Sequence, residues 1–376
     1  MGYKILHFSD LHLDASFAGQ GFPVDYGKER RLDLRAALMR IISKARELKV
    51  NAITIGGDLF VQEYLLPETT DFILQQLASL DPIRVIIAPG IKDLFTNGSP
   101  YANLNWPKNV EIFYQSKLKP IELAPDIHLW GACNPPVRGQ NLLDGFKPKE
   151  GINILLLYAQ RNKKNSEIHN INIEELQRSG FKLALLGSEH LAEFSADKYP
   201  YVIFPGSPEP LSPNEQGGKH QVIFIDVQQE DIRIQPLSLQ QWNYISLDVD
   251  VTPFVSSPEL ANHIESILEI ETNKSQNSAL TVRMRGIPHF DLSLSGLSQL
   301  LQTSANFRLE YEFGLNFDLE QLAREQTVRG LLVKGFLSRI RAATAENDKQ
   351  IQLTALNMAL QALDGQQVNL YETKKN

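Results

Sequence analysis

The chain has 376 residues, 43% hydrophobic and 22% charged, which sets disorder aside and leaves room for two or three globular domains. No apolar run reaches the length of a membrane span, and the first strand-like segment follows Met1 too closely for a secretory leader, so a cytoplasmic protein with no membrane contact is expected. A net charge of −7 gives no global sign of nucleic-acid binding, and a single Cys cannot build an internal disulfide or a cysteine-rich zinc site, so any metal has to be held by His and carboxylate.

In chain order, strand-like runs recur at Lys4 to Ser9, Ala52 to Ile55, Arg84 to Ala88, Ile152 to Tyr158, Lys182 to Leu186, Tyr201 to Phe204 and Gln221 to Val227. Between the first three lie amphipathic stretches, Arg30 to Leu48 and Thr69 to Leu80, with Leu34, Leu38, Ile41 and Ile42 at helical spacing. Strands alternating with helices predict a largely parallel sheet covered on both faces. The later strands crowd together around turn-rich breaks such as PGSPEPLSPNEQGG, so part of the sheet system is expected to be antiparallel.

After about Gln240 the texture changes. ISLDVDV, ALTVRMRG and FRLEYEFG alternate as half-buried strands, separated by helical stretches at Pro258 to Ile270 and Leu294 to Gln302. From Leu319 the pattern is helical, with Val328, Leu331, Leu332, Phe336 and Ile340 on one stripe and a second helix over roughly Lys349 to Leu363. The expected organisation is an α/β sandwich over 1–240, a small α+β module over 241–318 and closing helices over 319–376.

The chemistry gathers at strand ends. FSDLHLD puts Asp10 and His12 two apart at the end of the first strand, so both side chains project to the same side. GGDLF places Asp58 just past the second strand, and LLGSEH places His190 past a later one. Each alone is weak, since Asp caps turns and a lone His is usually structural. Together on one sheet edge, two carboxylates and two imidazoles suit a divalent transition ion, Mn, Fe or Zn, better than calcium.

SDLHLD, GGDLF, APGIKD, ILLLY, GSEH and FPGSPEPLSPNEQGGKHQVIFID, in that order, resemble the calcineurin-like metallophosphoesterases, specifically the SbcD and YhaO group of DNA-repair exonucleases. The resemblance spans nearly the whole chain. It implies a four-layer-type metallophosphoesterase sandwich, a small α+β capping domain that places DNA, and C-terminal helices that dock on an SbcC-like coiled-coil ATPase. It also implies a homodimer, for which no interface residue is assigned. In that family two adjacent metal sites share the aspartate of a Gly-Asp motif.

Carried over by motif, the first metal site is Asp10, His12, Asp58 and His190, all present. The second needs donors where this chain has Ile91, Tyr158 and Ser188. These offer no donor atom, a phenol and a neutral hydroxyl, so no second metal is expected. Where the family has the histidine that acts on the phosphate, this chain has Lys92; of that motif only Asp93 remains. Lys92 is expected to pair with Asp58 or Asp10, relieving carboxylate repulsion. Its other reading is an electrostatic substitute for the missing cation.

Two functions stay open. One is an SbcD/YhaO-like subunit whose two-metal centre is degraded, retained to bind DNA and its ATPase partner. The other is a single-metal phosphodiesterase, exonuclease or phosphatase, using Lys92, with Glu189 as a further acid beside His190. For DNA the candidates for phosphate contact are Arg283, Arg285 and Arg308. For the ATPase they are the helix from Thr327 to Arg341, with Arg324, Arg329, Lys334, Arg339 and Arg341 as its basic residues and Leu332 and Phe336 as its apolar ones.

Overall fold

The computed structural model describes residues 2–134, 141–161, 168–195, 200–228, 231–275, 277–286, 288, 290, 292–311, 319–343 and 346–363. The chain divides into two compact units, Met1–Tyr244 and Ile245–Asn376. No described helix is long and apolar enough to cross a membrane.

In the first unit the chain lays down β1 (Tyr3–Phe8), α1 (Tyr26–Glu47), β2 (Ala52–Ile55), α2 (Pro67–Ala78), β3 (Arg84–Ile87), the one-turn α3 (Pro100–Asn103) and β4 (Val110–Ile112). It then crosses to a second sheet made of β5 (Lys119–Ala124), β6 (Ile127–Gly131), β7 (Ile152–Arg161), β8 (His169–Ile171), β9 (Leu183–Gly187), β10 (Glu193–Ser195) and β11 (Tyr201–Phe204), with α4 (Ile173–Arg178) before β9. Finally β12 (Val222–Val227) and β13 (Ile232–Leu237) return to the first sheet. The sheet orders are β13-β12-β1-β2-β3-β4 and β10-β11-β9-β7-β6-β5, with β8 on β7.

Alternation along the strands dictates the layering. Ile5, Ala52, Ile86, Ile223 and Ile225 from the first sheet pack on Leu129, Ile154, Leu156, Leu183 and Leu185 from the second as one buried core. Each strand therefore turns every other residue toward the opposite sheet. The β1-α1-β2 and β2-α2-β3 crossovers run the same way along parallel neighbours, so right-handedness puts α1 and α2 on one face. With the inner face taken by the second sheet, that is the outer one. The outer face of the second sheet buries Leu155, Leu157, Leu186 and Leu176 of α4 in its own core. This is the α/β sandwich expected from the alternating elements, with the antiparallel share supplied by β1-β12 and β12-β13. The helix expected from Arg30 begins four residues earlier at Tyr26, because Tyr26 and Arg30 are themselves buried.

The short strands β4, β5, β6, β8, β10 and β13 carry no apolar run long enough to be read from the sequence. They form because a neighbour offers a ladder.

In the second unit, β14 (Asn243–Asp250, whose first two residues belong to the first unit), β15 (Ser278–Arg285) and β16 (Asn306–Tyr311) form a three-stranded sheet in that order. α5 (Ser257–Lys274) and α6 (Leu294–Leu300) bury Leu260, Ile264, Leu268 and Leu297 with Leu280, Val282 and Met284 of the sheet. α7 (Leu319–Leu322), α8 (Val328–Ala342) and α9 (Glu346–Leu363) share a separate small core around Val333, Leu356 and Leu360.

The two sheets of the first unit touch backbone to backbone at one end. A Cβ at Gly187, the last residue of β9, would strike the carbonyl oxygen of Gly56, just past β2. Beside them His7, fully buried, donates from Nδ1 to the Thr54 carbonyl at 3.2 Å. Desolvation pulls its pKa down to about 4, so it is a neutral hydrogen-bonding strut. Gly187→Ala should therefore cost about 1–3 kcal/mol of stability, the usual range for overpacking, read as a lower urea midpoint; an unchanged midpoint would contradict this contact.

Candidate metal centre

The centre lies where the loops after β1, β2, β3, β7 and β9 converge. The first two run side by side past their strand ends. Asp10 N–H donates to Gly57 O (2.9 Å), His12 N–H to Asp58 O (2.9 Å) and Leu13 N–H to Leu59 O (3.0 Å). This zipper fixes Asp10 and His12 against Asp58. Asp10, His12, Asp58 and Ser188 all hold left-handed backbone, at φ of 56°, 51°, 51° and 103°. Non-glycine residues adopt it at a cost, and such strain collects at functional sites. The last Asp of the FSDLHLD motif plays another part: Asp14 accepts Leu66 N–H (2.9 Å) and meets Arg35, anchoring the chain before α2.

Of the four expected ligands, three come within reach of one ion: donor atoms of Asp10, His12 and His190 lie within 4.8 Å of one another. Asp58 joins them through His12, whose Nε2 is 3.6 Å from Asp58 Oδ2 and 3.9 Å from Asp10 Oδ1. His12 Nε2 and Asp10 Oδ1 are buried and have no hydrogen-bond partner. A buried acceptor and a buried ring nitrogen, both orphaned and facing each other, are costly unless something sits between them. A divalent cation fits that need, and the His/carboxylate donor set suits a transition ion.

Electrostatics point the same way. Burial, then the neighbouring Asp58 charge, pushes the Asp10 carboxyl up to about 7. Burial, with help from His190 and Lys92, pulls His12 down to about 3, leaving a neutral ligand. His190 is pulled down by burial but raised further by its hydrogen bond to Glu215 and by the Asp10 and Asp58 carboxylates, for a net upward shift. Its Nδ1 donates to Glu215 Oε1 at 3.0 Å, which leaves Nε2 for the centre.

Both oxygens of Asp58 are taken by protein groups. Tyr158 donates its hydroxyl to Asp58 Oδ2 (2.7 Å). The Lys92 backbone N–H donates to Oδ1 (2.7 Å). Ile91 is half-buried and brings only its amide. Ser188 gives its N–H to Asp10 Oδ2 (3.1 Å) and its hydroxyl to Ala159 O (2.8 Å), so it turns no oxygen toward an ion. Burial and the surrounding carboxylates raise the Tyr158 pKa far above the phenol range, so it stays a donor. Burial likewise raises Asp58, against the pull of the Lys92 amide and the Tyr158 hydroxyl.

Lys92 departs from its expected role. Its side chain is exposed, and among the described residues its ammonium forms no ion pair with Asp58 or Asp10. The backbone amide makes the contact instead, because the loop turns inward there and the side chain outward. Asp93 behind it is fully engaged, accepting from the amides of Gly90 (2.6 Å), Asp58 (3.1 Å) and Leu59 (2.7 Å) and from the Tyr101 hydroxyl (2.7 Å). Glu189 is half-buried and stands outside the ligand cluster.

Sequence reasoning missed Glu215 and the capping role of Tyr158. Glu215 lies 25 positions beyond His190, so no local spacing could have found it.

The residues expected to meet partners sit in the second unit. Arg283 and Arg285 approach Asp248 at 3.5 and 3.7 Å, and Arg308 pairs with Glu310 at 2.6 Å. On α8, Leu332 and Phe336 pack into the core shared with α9, while Leu331 and Val328 are exposed at 70% and 69%.

No protein-family model matches the sequence, and no curated protein matches it. Solved structures similar in fold include a dimetal phosphatase from Danio rerio, at 10% identity over 62% of this chain and 95% of its own, TM-score 0.42. Another is GAP50, the anchor in the inner membrane complex of Plasmodium, at 11% over 63% and 84%, TM-score 0.40. A third is a predicted phosphoesterase from Streptococcus pneumoniae, at 12% over 63% and 90%, TM-score 0.31.

An ion entering this centre must displace the proton that burial holds on Asp10 up to about pH 7 and any proton on His190, while His12 is already neutral. Zn²⁺ affinity should therefore rise roughly ten-fold per pH unit for each proton displaced as the pH climbs to about 7, where Asp10 gives up its own. Titration calorimetry in buffers of different ionisation enthalpy counts those protons; an affinity flat across this range would refute the assignment.

Proposed function

We propose that the chain is a calcineurin-like metallophosphoesterase relative of the SbcD/YhaO type that holds one divalent transition-metal ion and has given up two-metal phosphodiester cleavage. It acts instead as a DNA-binding subunit of a coiled-coil ATPase. The observation that carries this reading is the Tyr158 hydroxyl on Asp58 Oδ2 at 2.7 Å. The carboxylate that would bridge two ions has its His12-facing oxygen, Oδ2, taken by a phenol hydroxyl and its other oxygen by the Lys92 amide.

The two-metal route needs cations about 3.5–4 Å apart to polarise the phosphodiester and steady both attacking and leaving oxygens. Here one carboxylate shared with Tyr158, a hydroxyl turned away and an isoleucine cannot hold the second. Asp10, His12 and His190, with Asp58 behind His12, would hold the first. That ion supplies Lewis acidity; the chain's own residues orient its ligands and keep His12 neutral.

The ATPase reading draws support from α8, whose Leu331 lines an 830 Å³ groove with Arg324, Lys334 and Arg341. The DNA reading draws on the arginine-bearing sheet face, where phosphate would replace Asp248 and Glu310 as the arginines' anion. Such binding depends on salt more than on sequence.

One observation favours a second reading, a single-metal phosphodiesterase. The Lys92 backbone amide is tethered to Asp58 at 2.7 Å while its side chain is exposed, so its ammonium can meet a phosphate approaching the centre.

Metal analysis of the purified chain beside hydrolysis of bis-p-nitrophenyl phosphate with manganese separates the two. The expected result is one ion per chain and no turnover above buffer. One ion with turnover abolished by Asp58→Asn and Lys92→Ala would instead establish the single-metal enzyme. Ile91→Asn with Tyr158→His and Ser188→His should raise the count from one ion to two. Two ions in the wild-type chain would sink both readings.

A further inference from the structure

His190 is the weak member of the ligand set. Its side chain is 36% exposed, against 8% for His12 and none for Asp10, so packing alone does not hold its ring. What holds it is the loop between β11 and β12. Ser207 N–H donates to His190 O (2.9 Å), and Ala192 N–H donates to Lys219 O (3.1 Å). Gly206, at φ 76°, presses so close that a Cβ there would meet the His190 carbonyl oxygen.

At the far end of that loop, in the single turn Pro213–Glu215, Glu215 reaches back to the ring. Both of its oxygens are anchored. Oε2 accepts the Leu211 N–H at 2.8 Å; Oε1 accepts the Ser212 hydroxyl at 3.3 Å and His190 Nδ1–H at 3.0 Å. Glu215 is itself buried, 8% exposed, and its carboxylate is already fixed by neighbours that do not depend on His190. It is not one of the clustered ligand atoms.

We infer that Glu215 is a positioning residue for the metal centre: it locks His190 as the Nδ1–H tautomer and aims Nε2 at the donor atoms of Asp10 and His12. The inference rests on the single-ion reading and deepens it. A carboxylate behind an imidazole ligand fixes ring orientation and raises the basicity of the free nitrogen, and losing such a partner typically weakens metal affinity about 10–100-fold. The class of ion this favours is one that prefers imidazole nitrogen, with zinc as the probe.

The test uses the full chain, wild type, E215Q and E215A. Ring ¹⁵N correlation spectra at alkaline pH, with the His190 signals identified by their loss in H190A, report which nitrogen carries the proton. Zinc titration gives the Kd. Wild type should show a protonated Nδ1 at His190; E215A should lose that single signature and bind zinc about 10–100-fold more weakly, with E215Q between them. E215Q keeps the size and an acceptor oxygen, so it reads the role even where E215A fails to fold. A merely structural Glu215 would lower thermal stability while leaving tautomer and Kd unchanged, and that outcome overturns the inference. A wild-type chain that keeps the Nδ1–H signature yet binds no zinc overturns the single-ion reading and leaves the tautomer lock standing.

Discussion

Three carboxylates, Asp10, Asp58 and Asp93, are buried together at the end of the sandwich where the two sheets meet, and the need to neutralise them organises everything around it. Burial raises all three above the ordinary carboxylate range, and the Asp58 charge raises Asp10 and Asp93 further. Each is relieved differently. Asp93 takes four hydrogen bonds and becomes the internal post of the loop after β3. Asp58 takes backbone amides on one oxygen and a phenol on the other. Of the three, Asp10 alone keeps an oxygen without a hydrogen-bond partner, and it stands 3.9 Å from His12 Nε2.

The scaffold makes this crowding achievable. Gly57, at φ 101°, and Gly187 let the loops after β2 and β9 approach where any side chain would collide with Tyr158 or with Gly56. The zipper between the loops after β1 and β2 continues the parallel ladder beyond its last regular pair. Strained backbone at Asp10, His12, Asp58 and Ser188 is thus held in place by the same hydrogen bonds that place the ligands.

Chemical capacity follows from this geometry. A neutral His12, a protonatable Asp10 and a carboxylate-backed His190 form a set of donors that takes a cation only by giving up protons. The Tyr158 hydroxyl is fixed as a donor and cannot become a thiolate- or imidazole-like ligand at any ordinary pH.

Much of the centre was legible in the residues. Asp10, His12, Asp58 and His190 all follow their strands at short range, so chain order sufficed to bring them to one edge, though Asp10 and His12 meet through left-handed loop backbone and not through strand alternation. The α/β layering was legible for the same reason: period-two strands and helical stripes are local patterns. The ends of β5, β6 and β13 were not, since their pairing depends on neighbours far away in the chain. Nor was the role of Lys92, because sequence names a side chain while only the turn of the loop decides whether amide or ammonium faces Asp58. Leu332 and Leu331 make the same point, adjacent residues on one apolar stripe of which the first is half-buried against the core shared with α9 and the second is exposed. The sequence by itself determined which donors stand at the strand ends. Tertiary structure alone decided which of them a cation can reach, because Tyr158 and Glu215 arrive from 100 and 25 positions away, distances that only folding closes.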